Sequence, residues 1–235
     1  MIDIHSHIIP GVDDGARNFE DSVQIVRWLA SQGVTDVIAT PHYVYETDYV
    51  SPRAQNLQLL EGLKDRLVDE GVDVKVYLGN EIYIDRDIAR LIRAGEMSTM
   101  ADSEYLLVEL PLNDEYSDWE DILIDLMNRG YQVILAHPER YEIVQKDYEI
   151  VKRLHEAGIL LQCNLASLVG RYGKRAQKII RKIAKDKMIF ALGSDVHRRG
   201  RSDYLVLAQK KLARYYDARE LNQLLVVNPS KILME

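Results

Sequence analysis

IDIHSH, residues 2–7, sets the reading of this chain. It is a short strand-like run that closes on imidazoles. His5 and His7 stand two positions apart, and on an extended chain alternate side chains project to the same side. Five more hydrophobic runs end on a histidine or an acid: DVIATPH (36–42), KVYLGNE (75–81), EYLLVEL (104–110), QVILAHPER (132–140) and IFALGSDVH (189–197). A polar residue at the end of a buried strand is costly to place without a partner. Repeated six times, the pattern predicts one shared partner, and a cluster of divalent metal ions fits it. Of the six histidines only His155 lies elsewhere, in the helix-like stretch VKRLHEAG, and it reads as an ordinary surface residue.

Working outward, seven runs read as strands: 1–5, 34–40, 73–80, 104–110, 131–136, 158–163 and 188–193. Each is short and almost continuously apolar, as parallel strands covered on both faces are. Amphipathic stretches alternate with them. Residues 19–32 follow Asn18 as N-cap and close at Gly33, and residues 52–70 follow Ser51 with Pro52 in the first turn. Further helices are expected at 116–129, 147–157 and 174–187, and a final one after 214, with Asn228-Pro229-Ser230 starting a last turn. Alternation of strand and helix implies an α/β fold with a parallel sheet. An open sheet concentrates its ligand site at one switch point. Polar residues closing nearly every strand instead predict a closed barrel with the site on the C-terminal rim. One domain spanning residues 1–235 is expected, with residues 41–51 as the longest candidate lid.

Composition narrows the function. Hydrophobic residues make up 47% and charged residues 29%, as in a soluble globular protein. No apolar run is long enough for a membrane span. The chain starts directly on a strand-like segment, leaving no room for a signal peptide, so a cytoplasmic protein is the expectation. The net charge of −7 argues against a nucleic-acid binder. The lone cysteine, Cys163, excludes an intrachain disulfide framework. Cys163 is followed by Arg171 in a C-x7-R spacing without a glycine-rich cradle, and its strand reads as buried, so no nucleophilic role is expected for it.

His5-x-His7 and Asp195-x-His197 present paired donors on two strands, and Glu81, Glu109, His42 and His137 complete a plausible metal set. Together with VDDGA at 12–16, ATPHY at 39–43, GNEIY at 79–83, LLVELP at 106–111, AHPERY at 136–141 and GSDVH at 193–197, these residues resemble the PHP superfamily of metal-dependent phosphoesterases. The resemblance is closer to its CpsB-type bacterial tyrosine phosphatases and runs from the first strand to the C-terminus. It implies a distorted (β/α)7 barrel, in agreement with the seven strand-like runs.

The resemblance further implies three divalent ions, with manganese, iron or zinc suited to mixed imidazole and carboxylate ligands. His5, His7, Glu81 and Asp195 would hold the first; Glu81, Glu109 and His137 the second; Asp14, His42 and His197 the third. Asp13 is the alternative to Asp14. Many relatives carry histidine where Asp14 and Glu109 stand, and the two carboxylates point to the tyrosine phosphatase branch. Three divalent ions against four carboxylates leave the loaded set positive, as a phosphate dianion requires. A metal-activated hydroxide would attack phosphorus. Arg140 and Arg201 (or Arg198 or Arg199 in its stead) would grip the phosphate, and His42, His197 or a bound water would protonate the leaving phenolate. Tyr43, Tyr45 and Tyr49 are candidates to wall the pocket. The implied substrate is a phosphotyrosine protein, the tyrosine-rich tail of a bacterial tyrosine autokinase in capsule or exopolysaccharide regulation. Three alternatives remain: a histidinol-phosphatase-like small-molecule phosphatase, an amidohydrolase-type hydrolase, and a metal-stabilised, non-catalytic scaffold for the kinase.

Overall fold

The structure, a computed structural model, describes residues 1–112, 118–199 and 203–233. Among these the strands are β1 (Ile2–Ser6), β2 (Asp36–Ala39), β3 (His42–Tyr43), β4 (Lys75–Leu78), β5 (Glu81–Tyr83), β6 (Tyr105–Glu109), β7 (Gln132–Ala136), β8 (Leu160–Asn164) and β9 (Ile189–Gly193). All paired strands run parallel. They form a three-stranded sheet in the order β1-β2-β4 and a six-stranded sheet in the order β3-β5-β6-β7-β8-β9.

The seven expected strand runs are all present, but the closed sheet is not: among the described residues there are two open parallel sheets. The division has a local cause. β2 gives way to β3 at Thr40-Pro41, and β4, within the expected run 73–80, to β5 just beyond it at Gly79-Asn80. Pro41 has no N–H to continue the ladder. Asn80 fills the breach, donating from its side chain to the Pro41 carbonyl at 3.0 Å and accepting from the Ser98 N–H at 2.8 Å. At the opposite side, β1 meets the segment after β9. The Asp195 N–H donates to the His5 carbonyl at 2.9 Å, and the His7 N–H to the Val196 carbonyl at 3.0 Å.

Helices cover the strands: α1 (Phe19–Ser31), α2 (Arg53–Asp69), α3 (Ile88–Arg93), α4 (Trp119–Asn128), α5 (Glu142–Lys146), α6 (Glu149–Glu156), α7 (Leu165–Leu168), α8 (Gly173–Lys185), α9 (Tyr204–Leu212), α10 (Ala218–Asn222) and α11 (Asn228–Ile232). Asn18 caps α1 as expected, its side chain accepting from the Asp21 N–H at 2.9 Å. In α2 the cap position belongs to Pro52, not Ser51, and no side chain caps it. α10 runs through a π-helical turn, Gln223–Val227, into α11. Pro229 explains the widened turn, because its ring cannot sit against an α-helical carbonyl four residues earlier. Expected helix residues 116 and 117 fall outside the described part of the chain.

Two apolar clusters hold these layers. The larger packs strand side chains against the helices, through Val26 and Leu29 of α1, Leu63 of α2, Leu123 of α4 and Ile180 and Ile183 of α8. The smaller gathers Ile4, Ile38, Leu107, Ile134 and Ala191, from strands of both sheets, around one shared interior, with Ile232 of α11 packed in. That arrangement turns the strand ends of both sheets toward a common place.

Candidate metal centre

The strand ends converge. His5 ends on β1 and His7 follows it, His42 opens β3, Glu81 opens β5, Glu109 ends β6, and His137 follows β7. Asp195 and His197 follow β9, and Asp14 comes from the loop between β1 and α1. Glu81 lies at the middle. Its Oε2 is 3.2 Å from His5 Nε2, 3.3 Å from His7 Nε2 and 3.0 Å from His42 Nδ1. Its Oε1 is 2.9 Å from His137 Nε2, which is 3.5 Å from Glu109 Oε1. Asp195 Oδ1 stands 3.5–3.6 Å from the His5, His7 and His197 rings. Asp14 Oδ1 is 3.3 Å from His197 Nε2 and 3.6 Å from His42 Nε2. All nine expected ligands are therefore brought together. Three groups have ligand atoms mutually within 4.8 Å: His5, His7 and Glu81; His42, Glu81 and Glu109; His7, Asp14, His42 and His197. His7 and His42 thus each touch two groups, where the sequence reading gave each to one.

The backbone is bent to achieve this. His137 and Asp195 have φ of 31° and 51°, in the left-handed region that costs a non-glycine residue about 1–3 kcal/mol. Such strain persists where surrounding structure overrides it. Gly193 allows the close approach behind Asp195, since a Cβ there would lie 2.6 Å from the His5 Cβ and 2.8 Å from Gln162 Nε2.

The polarity of the pocket fits cations. Gln162 Oε1 lies 2.9 Å from His5 Nδ1, so that nitrogen must carry the proton and donate. Asp13 Oδ2 imposes the same on His7 Nδ1 at 2.8 Å. In the neutral rings both Nε2 atoms then present lone pairs, 3.3 Å apart and aimed at Glu81 Oε2. Glu81 Oε2 is buried and makes no hydrogen bond among the described residues. A buried knot of acceptors without a donor needs either protons or metal ions to hold it. Without ions it takes up protons. Burial opposes charge on His5, but Glu81 and Asp195 lift it to about 9. His7 is likewise raised, against its burial, by Asp13, Asp195 and Glu81. Burial disfavours ionised Glu81 and Asp195, yet the surrounding imidazoles hold both below the carboxylate range. Glu109 goes the other way, pushed up by burial and by Glu81.

Asp13 and Asp14 take different places in the structure. Asp13 Oδ2 holds His7 and accepts the His42 N–H at 3.1 Å, and Oδ1 accepts the Gly15 N–H at 2.9 Å. It orients imidazoles from behind, as carboxylate partners of metal-ligating histidines do, and its carboxyl is lowered to about 2 because these bonds outweigh burial. Asp14 faces the centre.

Other residues of the site escape a sequence reading. Gln162 and Asn164 of β8 are fully buried and linked at 2.9 Å. Asn164 then donates to Asp195 Oδ2 at 2.7 Å. Two polar residues two apart at the end of a buried strand were their only signal. Tyr172 donates to the same Oδ2 at 3.0 Å.

Arg140, placed by the turn after His137, reaches Asp195 Oδ2 at 2.9 Å and lies over the Tyr172 ring at 4.5 Å. Arg198 and Arg199 line a cavity of about 540 Å³ that also borders Gly15, Arg17 and His197. Arg201 lies outside the described residues. Of the three loop tyrosines only Tyr49 flanks the centre, its ring 5.9 Å from that of His42. Tyr43 is buried in the core instead, and Tyr45 packs under Arg90. Cys163 is fully buried beside Glu139, its thiol pushed well up by burial and that carboxyl, which suits no nucleophile. His155 is exposed, as expected.

Known proteins are similar to this chain. Tyrosine-protein phosphatase CpsB of Streptococcus pneumoniae is 30% identical over 244 residues, covering 100% of this chain and 99% of that protein. Tyrosine-protein phosphatase YwqE of Bacillus subtilis is 31% identical over 200 residues, covering 84% and 77%. A crystal structure reported for YwqE and CpsB, described as unique metal-dependent tyrosine phosphatases, superposes with a TM-score of 0.92 at 28% identity over 99% of this chain and 94% of that one. The phosphotriesterase homology protein of Escherichia coli shares the fold at a TM-score of 0.64 and 13% identity, covering 99% and 98%. Residues 1–234 match the family described as capsular polysaccharide synthesis, CpsB/CapC, and the chain belongs to that family.

Proposed function

We propose that this chain is a metal-dependent protein-tyrosine phosphatase hydrolysing phosphotyrosine monoesters. The observation that carries the reading is the convergence of nine imidazoles and carboxylates, from at least six separate segments, on the buried Glu81 carboxylate and its neighbours. Its donors are imidazoles and carboxylates without thiolate, a set that suits manganese, iron or zinc. We assign three divalent ions, manganese first, to the expected ligands. His5, His7, Glu81 and Asp195 hold one, Glu81, Glu109 and His137 the next, and Asp14, His42 and His197 the third.

Ions held there supply positive charge for the phosphoryl oxygens and a nucleophile at neutral pH. The chain's own residues do the rest. Asp13 and Gln162 fix the tautomers of His7 and His5, so their Nε2 atoms face inward. Arg140 sits at the mouth with its planar fork available to a phosphate, and Arg201 is assigned the second grip. Tyr49 and Tyr172 offer ring faces at the mouth to the tyrosine ring of the substrate. His42 and His197, the two imidazoles of the centre that reach solvent, are placed to deliver a proton to the phenolate. The rim site is consistent with one distorted (β/α)7 barrel domain over residues 1–235, whose two sheets share an interior. The proposed substrate is the tail of a bacterial tyrosine autokinase in the cytoplasm, within capsule or exopolysaccharide regulation.

The test compares initial rates on a phosphotyrosine peptide and on histidinol phosphate with manganese supplied. Preference for the peptide, abolished by excess chelator, is the expected result. Turnover that survives the chelator, or a preference for histidinol phosphate, overturns the reading.

A further inference from the structure

Residues 171–185, RYGKRAQKIIRKIAK, carry seven basic residues and no acidic one, while the rest of the chain carries 37 acidic residues against 23 basic. The apolar face of α8 is spent on the core through Ile179, Ile180 and Ile183. Lys174, Lys178, Arg181, Lys182 and Lys185 fall at helical spacing on the outer side, all exposed. At a rise of about 1.5 Å per residue the row is roughly 16 Å long.

What marks this row is the concentration of cations without an acidic partner. Several surface cations elsewhere are paired: Arg17 with Asp21, Arg27 with Glu70, Arg129 with Asp125, Arg153 with Glu120 and Lys187 with Glu220. Among the described residues no carboxylate lies within ion-pair distance of any of the five on the α8 row. Five like charges on one helix face repel one another, and among the described residues Lys182 alone of the five meets an aromatic face, the Tyr148 ring 3.7 Å from its Nζ. The row also lines a shallow open groove of about 460 Å³, together with Gln177 and Tyr215. Its first end abuts the metal centre, since Tyr172, immediately before α8, bonds Asp195 and lies under Arg140.

We propose that the α8 groove is a docking track for an acidic stretch of the phosphotyrosine-bearing polypeptide, held while its phosphotyrosine occupies the metal centre. The proposal rests on the phosphatase reading. An extended chain advances about 3.3 Å per residue, so the row matches about five residues of a peptide leading away from the site. A membrane surface fits less well. Lipid-binding basic helices flank their cations with exposed Leu, Phe or Trp, and every isoleucine of α8 is buried.

The test uses the full chain with manganese supplied and two phosphotyrosine peptides differing only in flanking Glu or Gln. The variant is Lys178→Gln, Arg181→Gln, Lys185→Gln, which touches no residue of the metal centre and keeps good helix formers. The expected result is a kcat/KM about tenfold higher for the Glu peptide at low salt, lost at high salt and lost in the variant. Turnover of p-nitrophenyl phosphate should be equal in both proteins. Equal rates on both peptides, or a preference that survives in the variant, overturn the proposal. Binding to phosphatidylglycerol vesicles that the variant loses, without any peptide preference, assigns the row to a membrane and overturns it too. Fluorescence anisotropy of the two peptides reads docking independently of turnover. A protein inactive on p-nitrophenyl phosphate that still prefers the Glu peptide therefore counts against the phosphatase reading alone.

Discussion

Single atoms decide much of this site. Gly193 has room for hydrogen only, and Gly193→Ala would force its methyl into the His5 Cβ and the Gln162 amide. The expected outcome is a loss of about 1–3 kcal/mol of stability and a fall in bound metal, read by denaturant unfolding and by elemental analysis. Unchanged metal content would mean that the strand ends are more compliant than their packing implies. Arg140→Ala should cut turnover roughly 100-fold or more while leaving metal content intact, because Asn164 and Tyr172 still hold the Asp195 Oδ2 that Arg140 reaches. Loss of the metal instead would make Arg140 a structural support of Asp195. Cys163→Ser should leave turnover within about twofold, since the thiol of this β8 residue is fully buried in the larger apolar cluster. At this scale the sequence is legible where chemistry is distinctive. Eight ligand candidates were readable because imidazoles and acids rarely end buried strands; Asp14, in a loop, came only with the family resemblance. Gln162 and Asn164 were not, because neutral amides inside a strand look the same whether they orient a ligand or bridge backbone. Asp13 and Asp14 are adjacent and chemically identical, and only the path of the loop separates them.

Secondary elements follow patterning more than capping. α2 has no side-chain cap and only weak amphipathic order, yet it holds through Leu60, Leu63 and Leu67, all buried. Leu63→Ala should cost about 2–5 kcal/mol, and Val68→Ala, on the outer face and 79% exposed, less than about 0.5. Comparable losses at the two positions in urea unfolding would mean that the helix does not rest on the core as placed. The seven apolar runs found their strands because nearly continuous Val, Ile and Leu leaves little else. β3 and β5 were missed because each has two or three residues, too few for any period to show. They exist because the pairing breaks at Pro41 and Asn80 and then resumes in the same register, and that depends on contacts between distant segments. α9 was overlooked for another reason: it begins beside the basic run 198–201, which reads as loop.

At the level of the whole molecule the centre joins what the chain keeps far apart. Metal-stripped protein should show the proton demand of the acceptor knot. His5 rises from its usual 6.5 to about 9 on folding, so the stability it contributes is complete below pH 6.5 and lost as pH climbs through about 9. His7 is raised too and acts in the same direction. The melting midpoint of chelated protein is expected to fall from pH 6.5 to 9, and manganese, which replaces those protons, to flatten the slope. A flat profile in the chelated protein would show that the carboxylates need no compensating charge. The closed barrel was the one large-scale expectation that the strand ladders did not meet. Periodicity reports which residues are apolar, but not whether one ladder runs unbroken past a proline.

The bonds from Asp195 and Val196 to β1 carry a consequence for synthesis. During translation His5 and His7 emerge first, while their partner after β9 is still to be made. A nascent chain that stops short of Asp195 holds half a centre and cannot close it. Loading of the sites assigned to Asp195 and His197 would therefore be a late event that follows departure of the last strand from the ribosome, whereas the Glu81, Glu109 and His137 set is complete earlier in synthesis.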